Sequence, residues 1–363
     1  MIIPYTNAYS SVETARSVCH INAQTGEVLF EKNSHDKMPM ASTTKIMTLI
    51  TALENSELDE MVTVKYEAVL TEGSSAYLKS GAKISMYDLL FGLMLNSGND
   101  AANAIAYHIS GSEENFAVLM NNTAKKIGVS ETNFRNPSGL EEEEHYTTSY
   151  DLAKITAYCL KNDTFKEIVS SRTHTGRMIL QDGTTEDVTY INHNRLLKEL
   201  DGSIGVKTGF TKAAGRCLVS ATEREGVSYI AVTLNDSDDW NTHKDLHTES
   251  FKNQKYKSII KSGDVIKTLK SEYGSCRLIA DNDFGAYTSQ RGNIDFEVII
   301  NLPGSISFPL NKGEKTGVLE ILSDGVLIGS VDIVPDSDFY VEKPVNAKDS
   351  LRFTLITIMR NIL

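Results

Sequence analysis

The chain has 363 residues, 40% hydrophobic and 23% charged, which suits a large core with a smaller second domain and excludes a fibrous or wholly disordered protein. Its 48 acidic and 36 basic residues leave a net charge of −12, and no dense Lys/Arg stripe interleaved with aromatics occurs, so a general nucleic-acid binder is excluded. No uninterrupted apolar run reaches the length of a membrane-spanning helix.

The opening residues, Met1-Ile2-Ile3-Pro4-Tyr5-Thr6, are too few and too polar for a signal-peptide apolar region, leaving a trimmed export signal or cytoplasmic residence open. Residues 16–32 alternate around Ala23-Gln24-Thr25-Gly26, the pattern of a hairpin with glycine in its turn. Residues 43–54 carry Ile46, Met47, Leu49, Ile50 and Leu53 at helical spacing, which puts Ser42 at a helix N-terminus. Residues 85–128 are helical almost throughout: one helix stops at Ser97 and another begins at Asp100, with Ala101, Ala102, Ile105 and Ala106 on its apolar face. The four glutamates at 141–144 read as a solvated loop, because they lack ligand spacing and histidine partners for a metal.

Residues 151–161 predict a further amphipathic helix through Leu152, Ile155 and Cys159. From Ser203 the period changes to two, predicting three consecutive antiparallel strands over 203–208, 216–222 and 228–234. Residues 240–257 read as a closing helix, and short strands between Gly, Pro, Asn and Asp turns follow to about residue 344. The tail at 347–363 places Leu351, Leu355, Ile358, Met359 and Ile362 on one face beside Lys348, Arg352 and Arg360, a basic amphipathic helix suited to a membrane surface. A helix docked on the second domain is the plainer alternative. The expected class is α+β: an antiparallel sheet flanked by helices with an α-rich subdomain (1–257), then a smaller β-rich domain (258–346) and the amphipathic tail (347–363).

Three motifs carry the chemistry: Ser42-Thr43-Thr44-Lys45, Ser97-Gly98-Asn99 and Lys207-Thr208-Gly209. A hydroxyl three residues before a lysine shares its helix face, so Ser42 reads as a nucleophile. Lys45 is its base, provided burial and the Lys207 charge depress its pKa. Ser97 can relay a proton to a leaving amine, and Asn99 can bind the substrate backbone. Lys207 and Thr208 can hold a carboxylate, Gly209 lets a substrate lie against the strand edge, and the N–H groups of Ser42 and Phe210 can form an oxyanion hole. Each motif is weak alone; their joint order is what identifies acyl transfer. No metal and no cofactor is needed for this chemistry.

The histidines show no catalytic signature, and 239–243 reads as a helix cap. Cys19, Cys159, Cys217 and Cys276 are widely spaced with no C-x-x-C pair, so buried free thiols are preferred to a disulfide.

The motif set resembles that of penicillin-binding proteins and class A β-lactamases. Ser97-Gly98-Asn99, Gly73-Ser74-Ser75, Tyr150-Asp151-Leu152-Ala153 and Gly215-Arg216-Cys217-Leu218 are similar to the low-molecular-mass D-alanyl-D-alanine carboxypeptidases, over about residues 10–257. That resemblance implies a β-lactamase-like fold and a cell-wall enzyme that removes terminal D-alanine from peptidoglycan stem peptides through a Ser42 acyl-enzyme. It also implies acylation by β-lactam antibiotics, a site outside the cytoplasmic membrane, and a membrane-tethering tail. It sets Cys19 and Cys217 on strands separated by another. No glutamate stands in the E-x-x-L-N setting of class A β-lactamases, and Phe210 occupies a position where some relatives carry histidine. The alternatives are a class A-like β-lactamase and a non-catalytic penicillin-binding or wall-binding scaffold.

Overall fold

The structure is a computed structural model that describes residues 10–271, 274–289, 294–304, 306–323 and 325–340; the expected tail helix at 347–363 lies outside them. The chain divides into two compact units, one of residues 1–23 and 28–252, the other of 24–27 and 253–363.

The first unit opens with a hairpin, β1 (Ala15–Asn22) and β2 (Val28–Lys32), as the alternation of small and apolar residues predicts. A 3-10 turn at Ala41–Thr44 leads into α1 (Lys45–Asn55). This helix is buried along residues 45–52, the polar Lys45, Thr48 and Thr51 alongside Ile46, Met47, Leu49, Ile50 and Ala52. Short strands β3 (Met61–Thr63) and β4 (Lys83–Ser85) precede α2 (Met86–Leu95), α3 (Asn99–Ser110) and α4 (Glu113–Ile127). The side chains of Ser85 and Ser112 cap α2 and α4 by accepting from Asp88 N and Asn115 N, and left-handed Gly111 and Gly128 end α3 and α4. Helices α5 (Ser149–Cys159) and α6 (Asp163–Ser170) follow, capped by Thr148 and Asn162.

Next come the hairpin β5 (Thr173–Ile179) and β6 (Thr185–Ile191), a short α7 (Leu196–Glu199), three strands β7 (Ser203–Thr211), β8 (Gly215–Arg224) and β9 (Val227–Asp236), and α8 (Asp239–Lys252). The main sheet is antiparallel in the order β2-β1-β9-β8-β7, which leaves β7 as an edge; β3-β4-β5-β6 form a second, four-stranded sheet.

Helix α8 packs on the main sheet through a fully buried polar cluster. The Ser220 hydroxyl bridges His243 Nδ1 (2.6 Å) and His247 Nε2 (2.7 Å), and Thr222 and Thr233 occupy the other ring nitrogens. His20 on β1 donates from Nδ1 to Ile230 O and accepts at Nε2 from Ser250. Burial holds all three rings neutral, lowering His20 to about 4 and His243 to about 3, and His247 well below its usual value. At the start of α8, Asp239 accepts both arms of the Arg216 guanidinium, which lies over Trp240, so the expected cap is structural. All four cysteines are buried and free, and β9 separates the strands of Cys19 and Cys217.

The second unit is β-rich: β10 (Gln254–Ile260), β11 (Val265–Ser271), β12 (Gly274–Ala280), β13 (Phe284–Ser289), β14 (Phe296–Asn301), β15 (Gly317–Ser323) and β16 (Val326–Pro335). Five strands form a sheet in the order β11-β12-β16-β15-β14 over a core that includes Leu278, Leu319, Ile321 and Ile333, while β10 pairs with β13. The closing helix expected to run to Lys257 stops at Lys252, five residues early, because Gln254–Ile260 pairs strand to strand with Phe284–Ser289. Pairing with a distant segment overrides local periodicity here, and it moves the division between units from 257/258 to 252/253. Among the described residues no helix is long and apolar enough to cross a membrane.

Candidate active site

Ser42 lies in the 3-10 turn rather than in α1 itself. The difference favours the chemistry, because side chains at i and i+3 eclipse in 3-10 geometry. Lys45 Nζ stands 3.2 Å from Ser42 Oγ. The turn is held tightly. Ala41 adopts a left-handed φ of 49°, a conformation costing about 1 kcal/mol for a residue with a Cβ. Thr43 and Thr44 donate their hydroxyls to Met40 O (2.6 Å) and Ala41 O (2.9 Å). Gly139 approaches so closely that a Cβ there would stand 2.0 Å from Ala41 O.

Lys45 is wholly buried. Burial first, and then the Lys207 charge, holds its pKa well below the usual lysine value, with Asp100 opposing. Its amine donates to Asn99 Oδ1 at 2.7 Å and to the Ser138 carbonyl at 2.5 Å. A neutral amine has two N–H groups, and these two acceptors take both. In that neutral form the lone pair is left for the third neighbour, the Ser42 hydroxyl 3.2 Å away, a geometry that can serve a base.

The second motif closes one side of the cleft. Ser97 sits between α2 and α3 with a left-handed φ of 57°; it is buried, and its hydroxyl makes no hydrogen bond to Ser42 or Lys45. Gly98 is required by space: a Cβ there would lie 2.8 Å from both the Ala76 backbone nitrogen and the Ala76 Cβ. Asn99 donates to Glu72 O at 2.7 Å while its Oδ1 accepts from Lys45. It therefore orients the Lys45 amine, a contact beyond the substrate contact expected from sequence, and one amide hydrogen remains for a ligand.

Asp100 was not singled out by its sequence. Its buried carboxylate gathers Ser75 Oγ (2.6 Å), Ala76 N (2.7 Å) and Leu78 N (3.1 Å), fixing the loop that carries Gly73-Ser74-Ser75 against the motif. An acid in the first turn of an otherwise apolar helix was the available signal. Ser138 contributes only a backbone carbonyl, which leaves no side-chain signature.

The third motif lies on the edge strand β7. A Cβ on Gly209 would stand 3.0 Å from Ser42 N and 3.1 Å from Thr43 N, so this glycine lets the strand press directly on the Ala41–Thr44 turn. Lys207 is buried, donates to Thr208 O at 2.9 Å, and has its pKa pushed down to about 7 by burial. Thr208 is half-buried, and Phe210 is 67% exposed. Beyond it a cleft of about 310 Å³ adjoins Ala41, between Leu140 and Glu141–Glu143 on one wall and Thr211 on the other. The structure thus brings Ser42, Lys45 and Asn99 together and sets Gly209, flanked on β7 by Lys207, Thr208 and Phe210, against the Ser42 turn, with Ser97 at the junction of α2 and α3.

The sequence profile of the D-alanyl-D-alanine carboxypeptidase peptidase family matches residues 6–238, and that of the penicillin-binding protein 5 C-terminal domain matches residues 255–343. The chain belongs to the D-alanyl-D-alanine carboxypeptidase family. It is a serine D,D-carboxypeptidase of the low-molecular-mass penicillin-binding type. The D-alanyl-D-alanine carboxypeptidase DacF of Bacillus subtilis is 30% identical over 354 residues, covering 93% of this chain and 86% of the relative. Among solved structures, penicillin-binding protein 5 of Haemophilus influenzae is 26% identical with a TM-score of 0.66, over 90% of this chain and 97% of that one. A Streptomyces DD-transpeptidase is 32% identical with a TM-score of 0.63, over 66% of this carboxypeptidase and 97% of that chain.

Proposed function

We propose that this carboxypeptidase removes the terminal D-alanine of peptidoglycan stem pentapeptides through an ester on Ser42. The observation that carries the reading is the meeting of two contacts at one serine: an amine with both N–H groups committed faces its Oγ, and Gly209 sets the Lys207 strand against its backbone N–H. In the reaction Lys45 takes the Ser42 proton as Oγ attacks the carbonyl of the penultimate D-alanine. The N–H groups of Ser42 and Phe210 receive the developing oxyanion. Lys207 and Thr208 hold the terminal carboxylate, and the peptide lies as an added strand along the free edge of β7. As the amide C–N bond breaks, Ser97 conveys a proton to the departing D-alanine amine; water then hydrolyses the ester. β-Lactams acylate the same serine.

Release of D-alanine from a pentapeptide stem, followed by chromatography, checks the reading. Ser42→Ala should abolish release, and unchanged release would sink it.

The reading extends to location. Residues 347–363 would hold the enzyme on the outer face of the cytoplasmic membrane, supported by one apolar face and three basic residues in that segment. Removing residues 349–363 should release the protein from anionic liposomes in a sedimentation assay; equal binding with and without them would refute the tether.

A further inference from the structure

His145 belongs to none of the three motifs, yet it closes on the nucleophile's turn. Its ring is 6% exposed and packs edge-on against Phe134. The Arg135 N–H points at Nδ1 over 3.0 Å, so Nδ1 is the accepting nitrogen and the neutral ring carries its proton on Nε2. Nε2 stands 2.8 Å from Thr44 Oγ1. The Thr44 proton is already given to Ala41 O, at 2.9 Å, so the hydroxyl oxygen must accept from the histidine. The polarity of the whole chain is fixed: Arg135 N–H to Nδ1, Nε2–H to Thr44, Thr44 O–H to Ala41 O. It ends on the strained left-handed residue that immediately precedes Ser42.

The same loop supplies three further grips. Ser138 O receives the Lys45 amine, Pro137 O receives the Thr48 hydroxyl, and Gly139 presses on Ala41 O. All of these come from backbone. His145 is the side chain through which the 135–145 loop is tied to the Ala41–Thr44 turn.

Resting on the reading of Ser42 as nucleophile, we infer that His145 is a positioning residue for it: its Nε2–H, relayed through Thr44, locks the turn that aims Ser42 Oγ at Lys45. The ring makes no hydrogen bond to Ser42 or Lys45 and reaches them only through Thr44. Its loss therefore moves the bond-forming step, and leaves the affinity of the initial encounter, governed by Lys207, Thr208 and the β7 edge, where it was.

The test is stopped-flow acylation of the full chain by benzylpenicillin, with saturation kinetics separating encounter affinity from the acylation rate constant, and intact-mass detection of the adduct. His145→Ala should slow acylation about 10- to 100-fold, the scale on which small misplacements of a reacting group act, with encounter affinity unchanged within about twofold. His145→Gln keeps an N–H donor near the Nε2 position and should recover most of the rate. If His145→Ala acylates at the wild-type rate, or if the glutamine variant is as slow as the alanine one while both melt like wild type, the positioning role is overturned. Absence of any adduct on the wild-type protein would overturn the nucleophile assignment and this inference with it, whereas equal adduct rates across all three proteins would overturn the positioning role alone.

Discussion

Replacing Lys45 with methionine should lower acylation of Ser42 by roughly 10³-fold, within the usual contribution of a positioned general base, while the protein stays folded. Methionine matches the length and the complete burial of the lysine. The change removes a buried amine whose ionised form is costly, and it leaves Asn99 Oδ1 and Ser138 O without a donor, at about 1–3 kcal/mol each. These effects oppose one another, so the melting temperature moves little. Lys45→Arg separates base from charge. Arginine keeps cationic donors for both acceptors, but it cannot offer a lone pair at any accessible pH. Both variants should be slow; wild-type acylation by the arginine variant, measured with labelled penicillin, would show that Lys45 acts as a cation rather than as a base.

Acid should destabilise this protein more steeply than its catalytic chemistry requires. The sign follows from the buried histidines. His20 and His145 are lowered to about 4 and His243 to about 3, by burial above all, while an unfolded chain titrates them near 6.5. Between those limits the unfolded state binds more protons, so unfolding becomes easier as pH falls below 6.5. At pH 5 each of the three sites contributes about 2 kcal/mol of lost stability. His247 acts in the same direction, held well below its usual value by burial above all. The sum rivals the whole folding free energy of an ordinary domain. Urea unfolding between pH 7.5 and 4.5 measures it: a midpoint that stays flat across that range would contradict neutral burial of the cluster.

Much of the site is legible in the sequence because its parts are side chains at fixed local spacing. Ser42 and Lys45 are three apart, Ser97 falls where an apolar helix must stop, and Lys207 lies on an alternating strand that begins at Ser203. What the sequence hides is what depends on close approach or on distant backbone. Gly209 reads as room for a substrate, but its position is dictated by the Ser42 backbone nitrogen. Ser138 acts through a carbonyl. Asp100 looks like an ordinary first-turn acid until the 75–78 loop folds onto it.

The fold shows the same division. The hairpin at residues 15–32 and the strands β7 to β9 alternate cleanly and are recognisable. β5 and β6 are polar on most positions, with the Gly183 turn as their sole clear punctuation, and their pairing with β4 needs tertiary context. The end of α8 at Lys252 was set by the partner of β10, a strand some thirty residues away.

The two buried lysines have a consequence for how the enzyme tells substrates apart. Lys207 opposes a proton on Lys45 through space, so the two sites are thermodynamically linked. On the proposed mechanism, a peptide carboxylate paired with Lys207 would remove that opposition just as Ser42 surrenders its proton. Such a carboxylate would lend proton affinity to Lys45 as well as anchoring the chain end. Discrimination against a chain lacking a free terminus would then be felt in the barrier to bond formation, where it raises turnover selectivity and not occupancy alone.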